Sequence, residues 1–394
     1  MSSLVQGALY PAVRPKDIRS YRIPIAPLPE QKRIVAELEK QFTRLDAGVA
    51  ALKRLQTHLK RYRASVLKAA CEGKLVPTEA ELARKEGRDY EPADKLLKRI
   101  LKERRAKWEA DQLAKMKAAG KTPKDDRWKA KYVEPSLPNV ATLPRLPEGW
   151  TWATLSLIAE LKGGITKGQK RASGERVRLV PYLRVANVQR GRLSLAILKQ
   201  IEATEDEIAE LKLVRGDVLF NEGGDRDKLG RGWVWQDELE ECIHQNHVFR
   251  ARLFHARVNP KFVSWYGNSF GQKYFVTEGK QTTNLASINM TKLGALPVPL
   301  PPATEQERIV AEVESRLSIL DAAEAIIVSN FKRAERLRQS ILKRAFEGKL
   351  VPQDPTDEPA SVLLERIRSS AANRPDKPAK RRSPKSKSKT AAAI

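Results

Sequence analysis

Apolar residues recur at steps of three and four over two long stretches of the chain. In the first they fall at Ile34, Leu38, Phe42, Leu45, Val49, Leu52, Leu55, Leu59, Tyr62 and Val66. Such spacing gathers side chains into a narrow stripe along one helix, of coiled-coil type. The second stretch carries Ile309, Val313, Leu317, Leu320, Ile327, Phe331 and Ile341, with gaps at Glu324 and Ala334. Pro29 precedes the first helix, and Thr304 with Glu307 has the capping-box pattern before the second. Gly73 and Gly348 suit a left-handed C-cap, with Pro77 and Pro352 just beyond. A helix over 30–70 would run about 60 Å at ~1.5 Å per residue. A stripe so narrow on so long a helix needs a partner. Each stretch is the other's nearest candidate, so an antiparallel pair within one chain is expected. Pairing with another protomer is the alternative.

The two stretches are copies. Shifted by 275 positions, residues 30–77 align with 305–352 without a gap, and 24 of the 48 positions are identical. "EQKRIVAELE" meets "EQERIVAEVE", and "SVLKAACEGKLVP" meets "SILKRAFEGKLVP". A further match, "EPADKLLKRI" with "EPASVLLERI", follows at an offset of 267, after eight extra residues in the first copy. Similarity of this kind marks a repeated structural unit.

Between the copies the texture changes twice. Residues 78–146 are rich in Lys, Glu and Ala and then in Pro, which predicts a shorter helix followed by a linker. Its charge reads first as a solvated helical face, with phosphate contact as the other reading. Residues 147–302 hold short β-rich runs, "GWTWATLSLIAELKGG", "RLVPYLRVANVQRGRL", "GDVLFNEGG", "GRGWVWQ" and "HVFRARLF", bounded by Gly, Asn and Asp. "EDEIAELKL" and "PKFVSWYGNSFGQKYF" look helical. The expected architecture is α+β: one globular mixed α/β domain plus two long repeated helices paired as an antiparallel coiled coil. The expected divisions are 1–29, a first conserved helix over 30–77, a second helix and linker over 78–146, the globular domain over 147–302, a second conserved helical region over 303–367, and a basic low-complexity tail over 368–394, expected to be disordered.

Charge narrows the function. Lys and Arg number 74 against 48 Asp and Glu, a formal net of +26. Removing the tail 374–389 leaves 66 against 47, so the folded part is basic too. A field of that sign attracts polyanions, nucleic acid first among them. Two cysteines, Cys71 and Cys242, make no disulfide framework, consistent with a reducing cytoplasm. No run approaches the roughly 18 apolar residues of a membrane helix, and the N-terminus lacks the pattern of a signal peptide. No membrane partner is expected.

The loops of 147–302 carry the candidate chemistry. They are "GGITKGQKRASGER" (163–176), "NEGGDRDKLGRG" (221–232), "HQNH" (244–247) and "GKQTTN" (279–284). Gln, Asn, Arg and Lys at loop tips are the side chains that read base edges, although they are also ordinary surface residues. The candidate DNA-contacting set is Lys167, Gln169, Lys170, Arg171, Arg184, Asn187, Gln189, Arg190, Asn221, Arg226, Lys228, Arg231, Gln245, Asn246, Lys280, Gln281, Thr282, Thr283 and Asn284. Catalytic alternatives fare poorly. "EGK" at 278–280 has no upstream Pro-Asp partner, as a nuclease site would need. "GGITKGQK" lacks the Gly-Lys-Ser/Thr ending of a phosphate loop. No "NPPY"-type or G-x-G-x-x-G motif occurs. Cys242, His244, His247 and His255 are not spaced as a standard zinc set. No catalytic residue, cofactor or metal is expected.

In combination these segments resemble the DNA-specificity subunit of type I restriction–modification systems. "LPEGWTWATLSLIAELKGG" is similar to the opening of that family's target-recognition domain, and "VRGDVLFNEGG" to its "GD-[VIL]-L" strand. "LGALPVPLPPATEQERIVAEVE" resembles the passage into the conserved helix, and "EGKLVP" that helix's end. The resemblance covers almost the whole chain. It implies a non-catalytic subunit that reads double-stranded DNA, docks the methyltransferase subunits and joins nuclease/translocase subunits through the complex. The family's layout is recognition domain, helix, recognition domain, helix, with the paired helices spacing two half-site readers. Here "SSLVQGALYPAVRPKDIRSYRIPIAPLPEQ" faces "TEGKQTTNLASINMTKLGALPVPLPPATEQ" at the repeat offset, so residues 1–29 match only the last turns of a first recognition domain. A separate chain supplying that domain is one expectation; an upstream reading frame and outright loss are the others. A coiled-coil scaffold, or a non-functional remnant whose domain binds protein or DNA nonspecifically, is the alternative function.

Overall fold

The computed structural model describes residues 14–123, 125–168, 174–224, 228–281 and 286–372. The chain forms two compact units, one of residues up to Gln56 with those from Ala325 onward, the other Thr57–Glu324. The first long helix spans Leu28–Cys71 and the second Ala303–Phe346, and each contributes to both units.

The stripes predicted from the sequence face each other within each unit. In the Thr57–Glu324 unit, Val66 and Ala70 pack with Ile309, Val310 and Val313. Arg63 pairs with Asp321, and Arg316 donates to the Tyr62 hydroxyl at 3.4 Å. In the other unit, Leu45 and Val49 line one small cavity with Phe331 and Ala334. Arg338 there pairs with Asp46 and lies over the Phe42 ring at 4.6 Å. Residue numbers rise on one helix as they fall on the other, so the pairing is antiparallel in both units.

The helix ends repeat down to single hydrogen bonds. Gly73 and Gly348 both have φ of +67°. Lys74 N–H donates to Ala69 O at 2.8 Å, and Lys349 N–H to Arg344 O at 2.8 Å, the six-to-one bond of a Schellman cap. The starts differ from the sequence signals. Each helix begins one residue earlier, at Leu28 and Ala303, so Pro29 and Thr304 sit inside the first turn. Thr304 therefore holds a helical position and is not the N-cap that the pattern called for.

After the first long helix come a short helix, Glu79–Glu86, closed by a Thr78–Glu81 capping box, and a longer one, Ala93–Ala118. The sequence reading anticipated only the longer of the two. The longer helix is more than a solvated face: Ala93, Leu96, Leu97 and Ile100 are buried in the same core as Leu155, Ile158, Phe220 and Val298.

That core belongs to a mixed domain. Its central antiparallel sheet places strand Val248–Leu253 between Ala159–Lys162 and Val218–Asn221, with Gly232–Val234 outside the latter. A second sheet sets Arg178–Leu183 antiparallel to Lys199–Ala203 and parallel to Ile243–His244. Helices Pro260–Asn268 and Phe270–Glu278 pack beside them. The domain's first strand, Thr151–Thr154, pairs antiparallel with its last, Pro297–Leu300. The chain therefore enters and leaves at one end, directly ahead of the second long helix.

Two buried polar groups explain sequence features. In the "RGDVLF" run, Gly216 takes φ of +92° and turns the chain so that Asp217 points inward. Asp217 receives two bonds from the Arg252 guanidinium, each 2.8 Å, and one from Val214 N–H at 2.8 Å. The motif is thus a strand-to-strand tether. His244 is fully buried; its Nδ1–H donates to Val248 O at 2.6 Å, and burial holds its pKa down to about 4.

Asp217→Asn keeps the shape but removes the charge facing Arg252. Since the Arg252 side chain is one-third exposed, the loss should fall below that of a fully buried pair, at about 2–3 kcal/mol in denaturant unfolding. For His244 the folded pKa lies below the unfolded value of 6.5. The neutral ring's contribution is complete above pH 6.5 and drains away as pH falls toward 4. Over that window the wild type should lose about 3 kcal/mol more stability than His244→Gln, measured by urea unfolding at stepped pH.

Candidate nucleic-acid interface

Five polar loops of the domain meet along one edge, stitched together by backbone bonds. Ile165 N–H donates to His244 O at 2.8 Å, and Asn246 N–H returns to Ile165 O at 3.0 Å. Gln245 N–H reaches Leu183 O at 2.9 Å, joining the 184–189 loop. Glu222 N–H donates to His247 O at 3.0 Å, and Ile288 N–H to Glu222 O at 2.9 Å. Backbone pairing of Gly223–Gly224 with Ala286–Ser287, and of that strand with Lys280–Gln281, completes the edge. Gly164 is required by the closeness: a Cβ there would lie 1.8 Å from His244 O.

The predicted contact residues divide into braces and projecting groups. Asn187, 2% exposed, accepts from Arg184 N–H at 3.0 Å and donates to Ser194 O and Ile197 O at 2.8 and 3.0 Å. Asn221 is fully buried and donates to Val185 O and Val188 O at 3.2 and 2.9 Å. Arg231 donates to Val185 O at 3.2 Å, Arg184 to Ile197 O at 3.5 Å, Arg190 to Asn268 O, and Gln189 to Ala186 O at 2.6 Å. These six hold the loops to the scaffold and to one another. Lys167 is exposed, and Gln245, Asn246 and Lys228 are partly exposed on the same edge. Lys280 and Gln281 lie there by their backbone pairing. Gln169, Lys170, Arg171, Arg226, Thr282, Thr283 and Asn284 lie outside the described residues.

His247 was not among the expected contacts. It is exposed on this edge, with Nδ1 against the Glu222 carboxylate. No sequence signal marked it: Asn246 and His247 form the turn between strands Ile243–His244 and Val248–Leu253, where strand alternation does not fix side-chain direction. The four candidate zinc groups do not converge, and no cluster of three or more His, Cys, Asp or Glu occurs among the described residues. Cys71 and Cys242 are buried and free, and burial pushes both thiols up to about 12.

The edge is held to the helices through one buried carboxylate. Glu305, in the first turn of the second long helix, accepts Trp150 Nε1–H at 2.8 Å and Glu79 N–H at 2.9 Å. Burial pushes its pKa above the ordinary carboxylate range. Trp150, Phe262 and Trp265 pack on Ile309, Val310 and Val313. Asn259 N–H donates to Gln306 Oε1 at 2.8 Å.

No protein-family model matches the chain. Curated relatives do. The type I restriction enzyme EcoKI specificity subunit of Escherichia coli strain K12 is 25% identical over 397 residues, covering 97% of this chain and 71% of its own length. The EcoBI specificity subunit of Escherichia coli is 25% identical, covering 91% and 66%. The StySPI specificity subunit of Salmonella potsdam is 24% identical, covering 94% and 68%. The chain thus spans about two thirds of the length of these relatives. Among solved structures, a chain from a study of complex assembly and conformational transition of the type I R–M system aligns over 87% of this chain and 66% of its own, with a TM-score of 0.55 and 19% identity. That likeness bears on the fold, and its long helices beside mixed sheets are those described above. Across nearly all of its length, this chain is similar in sequence to the specificity subunits of type I restriction enzymes.

Proposed function

We propose that the chain is the DNA-reading, non-catalytic subunit of a type I restriction–modification complex. Its 147–302 domain takes duplex DNA at the stitched loop edge. Lys167 and Lys228 meet phosphates, and Gln245 and Asn246 reach base edges. Asn187, Asn221, Arg184 and Arg231 act one step behind, by fixing the loops that present those groups. The paired helices carry docking surfaces for methyltransferase subunits, with nuclease/translocase subunits joining through that core. One such domain reads one half of a bipartite site. The complex works in the cytoplasm; no described helix is long and apolar enough to cross a membrane.

The observation that carries this reading is the convergence of five polar loops on one edge of the domain, in a chain of net charge +26. A protein-binding scaffold would have no need to lock its Asn and Arg side chains into loop braces behind an exposed basic rim.

Binding to duplex DNA, followed by fluorescence anisotropy from 50 to 300 mM salt, should give a log–log slope of about −4 to −6, as for roughly five to seven phosphates. Lys167→Ala should reduce that slope by about one. A flat salt response would leave only the scaffold reading. Co-expression with the cognate methyltransferase subunits should place methyl groups at one sequence motif in a methylome. The double substitution Gln245→Ala, Asn246→Ala should change or abolish that motif while the subunits still co-purify.

A further inference from the structure

Glu222 brings a negative charge to the loop edge of a basic chain. It follows strand Val218–Asn221 directly. Asn221 is fully buried, whereas the Glu222 side chain reaches solvent. The Glu222 backbone is held from both sides: its N–H donates to His247 O at 3.0 Å, and its carbonyl accepts Ile288 N–H at 2.9 Å. The next two residues, Gly223–Gly224, pair with Ala286–Ser287, and a Cβ on Gly223 would stand 3.0 Å from Ala286 O. Glu222 therefore sits at a fork between two paired segments, with little freedom to shift.

Its carboxylate is aimed as well. Oε2 accepts from His247 Nδ1, so the imidazole carries a hydrogen on that nitrogen. Among the described residues Oε1 takes no hydrogen bond. The two side chains stay open to solvent, at 29% exposure for Glu222 and 53% for His247. An exposed pair of this kind adds little to stability, and the backbone bond already ties the two residues together. Asn187 and Asn221 are the opposite case: both are buried, and their amides donate to backbone carbonyls. A carboxylate at an edge that meets DNA repels phosphates and weakens binding to every sequence alike. What it can supply is discrimination among bases.

Each base pair offers the major groove one exocyclic amino group, N6 of adenine or N4 of cytosine, while guanine and thymine present no donor there. An ionised carboxylate accepts and never donates. We propose that Glu222 is a specificity-determining residue: Oε1 takes the amino group of adenine or cytosine at one position of one strand, guanine and thymine are refused there by repulsion between acceptors, and His247 is the residue that positions the carboxylate. The inference rests on the proposed DNA reading and adds to it the class of base that one side chain selects.

The test compares methylomes of cells in which the methyltransferase subunits are co-expressed with the wild type, Glu222→Gln or His247→Ala. Glu222→Gln keeps the shape and adds a donor, so one base pair of the motif should become degenerate while the others hold. In fluorescence anisotropy at about 150 mM salt, its affinity for duplex lacking the motif should rise about threefold, since a charge facing phosphates is lost. Its preference for motif over non-motif duplex should fall about tenfold. His247→Ala should loosen the same base pair and no other. A bracing role would give another pattern: several positions of the motif change together, or the thermal midpoint drops and the subunits no longer co-purify. That pattern overturns the inference, and so does an unchanged motif in Glu222→Gln. A wild type that fails to bind duplex DNA in the salt titration overturns the DNA reading and takes this inference with it. A wild type that binds, beside a Glu222→Gln chain that reads the same motif, overturns this inference alone.

Discussion

The carboxylate of Glu305 joins three segments distant in sequence: the helix that carries it, the Trp150 indole at the start of the mixed domain, and the backbone of Glu79 after the first long helix. Removed from water, such a group is stable only when donors surround it. Both oxygens are occupied and the residue is fully buried. A neighbouring network of the same kind has Glu79 held between Arg88 and Arg308. These contacts orient the domain on its helices, and the apolar layer of Trp150, Phe262 and Trp265 against Ile309 and Val313 gives the contact its area. The position of the loop edge relative to the start of the second long helix is therefore decided at the base of the domain, away from the polar loops themselves.

Much of this was legible beforehand, for identifiable reasons. A stripe at three–four spacing, with glycine and proline at the end, admits few structures. Ile309, Val313, Leu320, Ile327 and Ile341 are all buried as that pattern demands. The capping-box reading at Thr304 failed because the helix begins at Ala303, so Thr304 lies inside the first turn and not at the N-cap. The short helix Glu79–Glu86 was invisible because it is only eight residues long and its buried apolar residues are alanines, which carry little periodic signal. At the loop edge, composition could name polar residues but not their direction. Asn187 and Lys167 are equally polar in sequence; one is buried under backbone carbonyls and the other is exposed. Only the fold separates a side chain that shapes a loop from one that extends from it.

That separation has mechanical content. A base-reading side chain discriminates well only if its backbone is held still, since a displaced donor can satisfy the wrong acceptor. Here Asn187 ties three points of one loop, Asn221 ties a strand end to its neighbouring loop, and Gly164 presses the 163–168 segment against His244 O. The rigidity comes from the buried amides and from the close approach of Gly164 to His244.

The pairing of Thr151–Thr154 with Pro297–Leu300 brings the two ends of the domain side by side. Such a module can be cut out and replaced at a single doorway, without altering the helices on either side. Recombination that crosses at those two strands would exchange the whole module in one step and leave the flanking helices as they are.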